Sequence, residues 1–420
     1  MDLGKFDGLF TLLLQYVNEG EPSMLRDFTD SELWNTAWRC LAQVLHLSPD
    51  RPIMEGETPR PGQPSPVPDW TTLSPSGIVT FLGLATVVFS AAPHQSLQLL
   101  ASPHSVIPAT LGQLLSESFL KHLDHRLELP ALGLAARCCG AGVEVTQDVV
   151  LRVCQLLCFP FAMDVEEPMF SEILRTLLGR EFVHHLVQLT LGQRLPGPRM
   201  EIPLGLLWRL TLSGSAFVDQ FVGAGSERPG AWARYLRELL QQEPGAGGEA
   251  QAELLLALLA QVCRCSAQYR AFVEAAALGS GGEGAGTLER ALQHPEAGLR
   301  RRACSLAARL LLGPDPGPVL LGAVLPLLGD PESGVREAAC FAVGNAAYSG
   351  VCTGALSPAL PTLLGLLSDP NPRTRRHACS ALHNLCTGSS RPALGRLLLS
   401  GAAPQRLLQL AAPATASHNT

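Results

Sequence analysis

Cys379, His383 and Cys386 stand at i, i+4 and i+7 with His377 nearby, so one helical face would gather two thiols and an imidazole, a donor set suited to Zn²⁺. A second chemistry is suggested by Gly279-Ser280-Gly281-Gly282-Glu283-Gly284, which fits G-x-G-x-x-G, the loop whose backbone amides cradle phosphate. Neither carries through. Cys379 aligns with Cys304 and Cys340 of two similar segments in which no histidine follows, and this favours a small core residue at a helix contact. The glycine loop follows the helix-like Glu274–Leu278 instead of a strand. No Val-Ala-Ile-Lys comes after it, and the only lysines, Lys5 and Lys121, lie upstream. Phosphate sites of the kinase and P-loop kind need a lysine's charge, so the stretch reads as a flexible linker. H-R-D, D-F-G and G-x-S-x-G are absent from the sequence. Cys263/Cys265 and Cys138/Cys139 lack zinc-site spacing and read as buried small residues. His184/His185 and His122/His125 read as solvated or satisfied imidazoles. We expect no catalytic residue, no cofactor and no metal.

Charge narrows the partners. Arginine runs occur at Arg300-Arg301-Arg302 and at Arg373, Arg375 and Arg376, and each reads as a solvated helix face with structural pairing. The functional alternative is a basic strip attracting an acidic peptide or phosphopeptide, which Glu337 interrupts. The chain as a whole has 31 basic and 37 acidic residues, a formal net charge of −6, so nothing in the total favours nucleic acid. Its 12 cysteines lie in apolar, helix-like stretches without framework spacing, which points to a reducing compartment. Asp2 and Asp7 at the start, with no small-residue cleavage pattern after Leu12–Leu14, argue against a secretory signal. The longest uncharged apolar run, Ile78–Ala92, is shorter than the roughly 18 to 20 residues a bilayer needs. It reads as a buried helix, and no membrane insertion is expected.

The elements behind these residues are helices in series. Residues 1–48 form an N-terminal helical segment with an apolar stripe at Leu33, Trp34, Ala37, Trp38, Leu41, Val44 and Leu45. Residues 49–75 are a proline-rich linker that cannot continue a helix. Residues 76–287 read as diverged helical repeats, 288–412 as well-defined repeats, and 413–420 as a disordered tail. Three gap-free segments begin at Ala291, Leu327 and Leu366, with prolines at Pro295, Pro331 and Pro370. Five residues beyond each proline stands an arginine (Arg300, Arg336, Arg375), eight beyond an alanine (Ala303, Ala339, Ala378) and nine beyond a cysteine. Each unit is a leucine-rich helix, a proline corner and a second helix whose small residues admit a close neighbour. One unit cannot cover its own apolar face, so stacked copies must share a core. An older pair, from Leu206 and from Leu258, places a leucine-rich helix before a polar turn and then Phe221-Val222 or Phe272-Val273.

This pattern resembles armadillo and HEAT repeats, with L-L-x-D-P before V-R-x-x-A in the second copy and an asparagine late in the last two. The resemblance implies an all-α, armadillo/HEAT-like α-solenoid with a proline-rich loop near its N-terminus. It also implies a structural ladder in which Asp330 and Asp369 join Arg336 and Arg375, with the first copy lacking the acid at His294. Asn345 and Asn384 match the asparagine that holds the backbone of an extended peptide, whereas the first copy has Arg309 there. Arg373 and Arg376 are further peptide-groove candidates.

The whole chain, including Phe28–Leu41, Gly344–Gly350 and Ala381–Pro392, further resembles the C-terminal part of the vertebrate Fused serine/threonine kinases of the Hedgehog pathway. That resemblance implies a non-catalytic scaffold acting in Gli signalling and motile cilium assembly. Its implied partners are Suppressor of Fused, Gli-type transcription factors, Costal-type kinesins and ciliary central-pair components. The implied location is the cytoplasm, and cilia or the nucleus with partners. The alternative is an autoregulatory module acting on a kinase domain of a full-length protein. An enzyme on a helical scaffold is the least favoured of the three.

Overall fold

The computed structural model describes residues 4–20, 27–29, 31–47, 66–102, 104–128, 139–242, 247–278, 285–313, 318–350, 356–387 and 405. Its described residues are helical throughout, without a strand, and they form two compact units, one up to Gly225 and one from Ser226. The break falls inside the 76–287 stretch that the sequence presents as one run of diverged repeats. Most of the proline-rich linker, the glycine loop at 279–284 and the tail lie outside the described residues.

The first unit contains α1 (Asp7–Glu19), α2 (Glu32–Val44), α3 (Pro75–Ala91), α4 (Pro93–Ala101), α5 (Val106–Leu115), α6 (Glu117–Glu128), α7 (Cys139–Cys158), α8 (Glu167–Gly179), α9 (Phe182–Leu191), α10 (Glu201–Ser213) and α11 (Ser215–Gly225). Two rows run through it: α1, α3, α7 and α10 pack in succession, as do α2, α5, α9 and α11. The apolar run Ile78–Ala92 falls almost entirely in α3, whose Ile78, Phe81, Leu82, Leu84, Ala85, Val88 and Phe89 are fully buried. Among the described residues no single helix is long and apolar enough to cross a membrane. Helices α3 and α4 pass such a test only as a pair, and they bend by 113° at their junction.

Helix α3 starts where its sequence dictates. Pro75 supplies a helix-ready φ at the first position, and the Ser74 hydroxyl accepts a hydrogen bond from the Gly77 N–H at 3.1 Å. The buried Asp7 carboxylate accepts from the N–H groups of Gly4 and Ser74, both at 2.9 Å, and so ties the starts of α1 and α3 together. A Cβ at Gly77 would run into that carboxylate, which is why glycine stands there. Around this joint Phe10, Trp34, Trp38 and Phe81 interlock, with the Trp38 and Phe81 rings 4.8 Å apart and perpendicular. The N-terminal stripe is thus part of the core of the unit, with one correction: Leu33 is 63% exposed, whereas Trp34, Ala37, Trp38, Leu41, Ala42 and Val44 of α2, and Leu45 after it, are buried.

The second unit contains α12 (Pro229–Leu239), α13 (Gly248–Cys265), α14 (Arg270–Leu278), α15 (Ala285–Leu292), α16 (Ala297–Leu310), α17 (Pro318–Val324), α18 (Ser333–Ser349), α19 (Leu360–Leu366) and α20 (Pro372–Thr387). Its main row is α13, α16, α18, α20. Ala303, Cys304, Ala339, Cys340 and Ala378 are fully buried between those helices, as their repeat positions predict. Gly350, at φ +74°, ends α18 in the left-handed conformation that glycine adopts without strain. The older pair also folds as helix, turn and helix, but in different register: Phe221 is buried in one copy and Val273 in the other.

Candidate functional site

Each repeat arginine wraps its own proline corner. Arg300 Nη1 donates to the carbonyls of His294 and Pro295 at 2.9 and 2.6 Å. Arg336 does the same with Asp330 and Pro331, both at 2.9 Å, and Arg375 with Asp369 and Pro370 at 2.8 and 3.0 Å. The spacing of five residues from the proline is what lets a helical side chain reach back over the corner.

The acid pairing runs one repeat out of step with the sequence expectation. Arg300 donates Nε and Nη2 to both oxygens of Asp330 at 2.7 and 3.0 Å, and Arg336 Nε reaches Asp369 at 2.7 Å. The first repeat therefore joins the ladder although it has His294 in place of an acid, because its arginine uses the carboxylate of the next repeat. Arg375 holds backbone oxygens instead. Both aspartates also accept from the backbone two residues on, Glu332 N–H at 2.9 Å and Asn371 N–H at 2.8 Å. Burial raises the Asp330 and Asp369 carboxyls, with side chains 4% exposed, but the hydrogen bonds and guanidinium charges outweigh it and hold both below the usual carboxylate range. Burial, with the neighbouring aspartate adding to it, pushes the thiols of Cys304 and Cys340 up to about 12.

The two asparagines tie the same helices from the opposite direction. Asn345 Nδ2 donates to the Ala308 carbonyl of the preceding repeat at 2.8 Å, and Asn384 Nδ2 to Gly344 at 2.9 Å. One N–H of each amide is thus engaged between repeats. Asn345 keeps a second N–H and a carbonyl oxygen.

At the position of these asparagines in the first repeat, Arg309 lays its guanidinium over the Phe341 ring, 5.7 Å from the centroid. The His377 ring lies 5.3 Å beyond Phe341, so α16, α18 and α20 are linked across their outer face. On the same face of α18 Tyr348 is 73% exposed, and Leu312, just past the end of α16, is 45% exposed. Arg373 and Arg376 are exposed near the start of α20, where Arg373 lies 3.8 Å from Glu337. Sequence reading missed this arginine–aromatic column. Only its surroundings on α18 were readable from spacing, since Phe341, Asn345 and Tyr348 follow one another at four and three residues and must share a face.

The thiols fare unevenly. Cys379, expected in the core, is exposed, and so is Cys386. Cys265 is also exposed and Cys263 is only half-buried, at the C-terminal end of α13. Among the described residues no three His, Cys, Asp or Glu side chains come together as a metal-binding group. Cys138 lies outside the described residues. His185 is pushed down to about 4 by burial and by the neighbouring His184, so it is neutral near pH 7.

A family model described as HEAT repeats matches residues 321–412, the span of α18 to α20 and beyond. An engineered protein solved by the Northeast Structural Genomics Consortium superposes with a TM-score of 0.54 at 14% identity, covering 97% of this chain and 85% of that one, a likeness of fold alone. Serine/threonine-protein kinase 36 of Pongo abelii is 36% identical over 421 residues, and that of Mus musculus 36% over 422 residues. Each match takes in 97% of this chain and 30% of the relative, so the chain spans under a third of the length of these curated relatives. An all-α stack with inter-repeat ladders, matched end to end by so limited a share of a kinase, leads to one conclusion: the chain is an armadillo/HEAT-like array homologous to the C-terminal repeat region of serine/threonine-protein kinase 36, the Fused kinase.

Proposed function

We propose that this chain is a non-catalytic scaffold that holds an extended segment of a partner protein on the outer face of α16, α18 and α20. The observation that carries the reading is the division of labour across those helices. Their inner sides are closed by small residues and the ladder, while the outer side presents Arg309 on Phe341, Asn345 and the exposed Tyr348. A backbone laid across the row would find donors and acceptors at helix spacing, and its side chains would find an aromatic surface. By resemblance to the Fused kinases the setting is Gli-dependent Hedgehog signalling and motile cilium assembly. The partners would be Suppressor of Fused, Gli-type transcription factors, Costal-type kinesins or ciliary central-pair components, met in the cytoplasm, the cilium or the nucleus.

The test is proximity labelling in ciliated cells with the wild-type chain and with Tyr348→Ala plus Leu312→Ser. Both positions are exposed, so the variant leaves the fold intact. Loss of a defined set of labelled proteins is the expected result; an unchanged set would move the binding surface elsewhere. The kinship with a protein kinase supports a second reading, regulation of a kinase domain. Pull-downs of the same partners with and without a kinase domain separate the two.

A further inference from the structure

Charge is segregated in this molecule. The chain carries a net −6, yet α16, α18 and α20 together hold eight arginines and one acidic residue, Glu337. The ladder accounts for Arg300 and Arg336, each on an aspartate. Arg302 lies 3.9 Å from Glu253 and Arg373 3.8 Å from Glu337. Arg375 is held by the Asp369 and Pro370 carbonyls. That leaves Arg301 and Arg376, both exposed and with no acid paired to either among the described residues, together with Arg309 on its ring. A surface kept cationic in a chain of net negative charge is complementary to an anionic partner.

Register makes the partner more specific. Arg301, Glu337 and Arg376 each stand six residues beyond their repeat proline, so they occupy the same place on three successive helices. Packed helices lie about 8 to 10 Å apart, and an extended chain rises about 3.3 Å per residue, so one helix step corresponds to about three residues of a bound segment. Resting on the peptide-holding reading above, we infer that the segment is acidic, with Asp or Glu at two positions about six residues apart to meet Arg301 and Arg376. Midway, opposite Glu337, it carries a residue that is not acidic.

A displayed library of random 13-residue peptides, selected on the full 420-residue chain, tests this. Wild type should enrich the acid–neutral–acid spacing. Arg301→Glu plus Arg376→Glu should weaken the best such peptide by at least about tenfold and should itself enrich lysine or arginine at the same two places. That inversion of preference cannot come from misfolding. Acidic enrichment indifferent to the reversal overturns the assignment. Neutral or basic peptides that are lost with Tyr348→Ala overturn the acidity and leave the peptide face standing, whereas no enrichment at all sinks both. A uridine 13-mer binding more tightly than the best peptide overturns the inference in favour of single-stranded nucleic acid.

Discussion

The two units stack helices in the same kind of row but close the gaps between them by different means. In the first, α1, α3 and α2 approach around Phe10, Trp34, Trp38 and Phe81, and a single buried carboxylate, Asp7, aligns two helix starts. In the second, alanine, cysteine and glycine bring α16, α18 and α20 close, and the same Arg–Asp and Asn–carbonyl bonds recur at each step. Large side chains fill irregular space once and differently at each joint. Small residues with polar fasteners must recur in register, because each bond spans two copies. A repeating geometry therefore leaves a repeating text, and a filled geometry does not.

The largest effect that sharpens this comparison is a pair of deletions. Asp330→Ala removes both carboxylate bonds of Arg300, leaving it only its two corner carbonyls, and should cost the second unit about 3 kcal/mol. Phe81→Ala opens a cavity in the first and should cost it a similar amount, about 3 to 5 kcal/mol. Calorimetry should show each variant lowering one transition. Two transitions that always fall together would break the distinction between the units.

Next comes Ala339→Leu, which overpacks the fully buried face of α18 and should cost about 1 to 3 kcal/mol. An unaltered melting curve would mean that this contact yields without strain. The double change Asn345→Ala and Asn384→Ala belongs with it. Its inter-repeat bonds are worth about 0.5 to 1.5 kcal/mol each, so it lowers stability as well as any partner affinity.

Acid separates the units by pH window. His185 in the first unit is held near 4, below its ordinary value of about 6.5. The unfolded chain therefore takes the proton first, and the stabilising contribution is complete above about pH 6.5 and fades as pH falls towards 4. Asp330 and Asp369 in the second unit lie below the ordinary value of about 3.9. Their contribution is complete above that value and is lost only as pH falls through the depressed range. Stability measured from pH 7 to 3 should show the first unit weakening before the second. His185→Gln should flatten the early slope, and a slope unchanged by that substitution would assign it to other groups.

The smallest effect is a labelling rate. Exposed Cys265, Cys379 and Cys386 should react promptly with iodoacetamide, whereas Cys304 and Cys340, protonated and enclosed, should wait for unfolding. Fast labelling of Cys340 would show that the α18 contact breathes.

How much of this was legible beforehand follows the same division. The proline, arginine, alanine and cysteine offsets were readable because each position answers one steric or bonding demand that recurs. The partner of each arginine was not, since the offset of one repeat depends on the tilt between neighbouring helices and not on spacing along the chain. Cys379 shares the repeat offset of the fully buried Cys304 and Cys340 yet is exposed, so the offset alone does not fix burial. The Arg309–Phe341–His377 column was hidden because its members come from three helices and share no motif.

The ladder and the asparagine bonds also have a mechanical meaning. Arg300 near the start of α16 reaches forward to the next repeat, while Ala308 near its end receives a bond back from Asn345. Adjacent helices are thus pinned at both extremities, and a pull along the row cannot be relieved by one helix sliding over the other. Load would be borne until a whole repeat peels away, so stretching this region in an optical trap should yield discrete drops of force, each the release of one repeat.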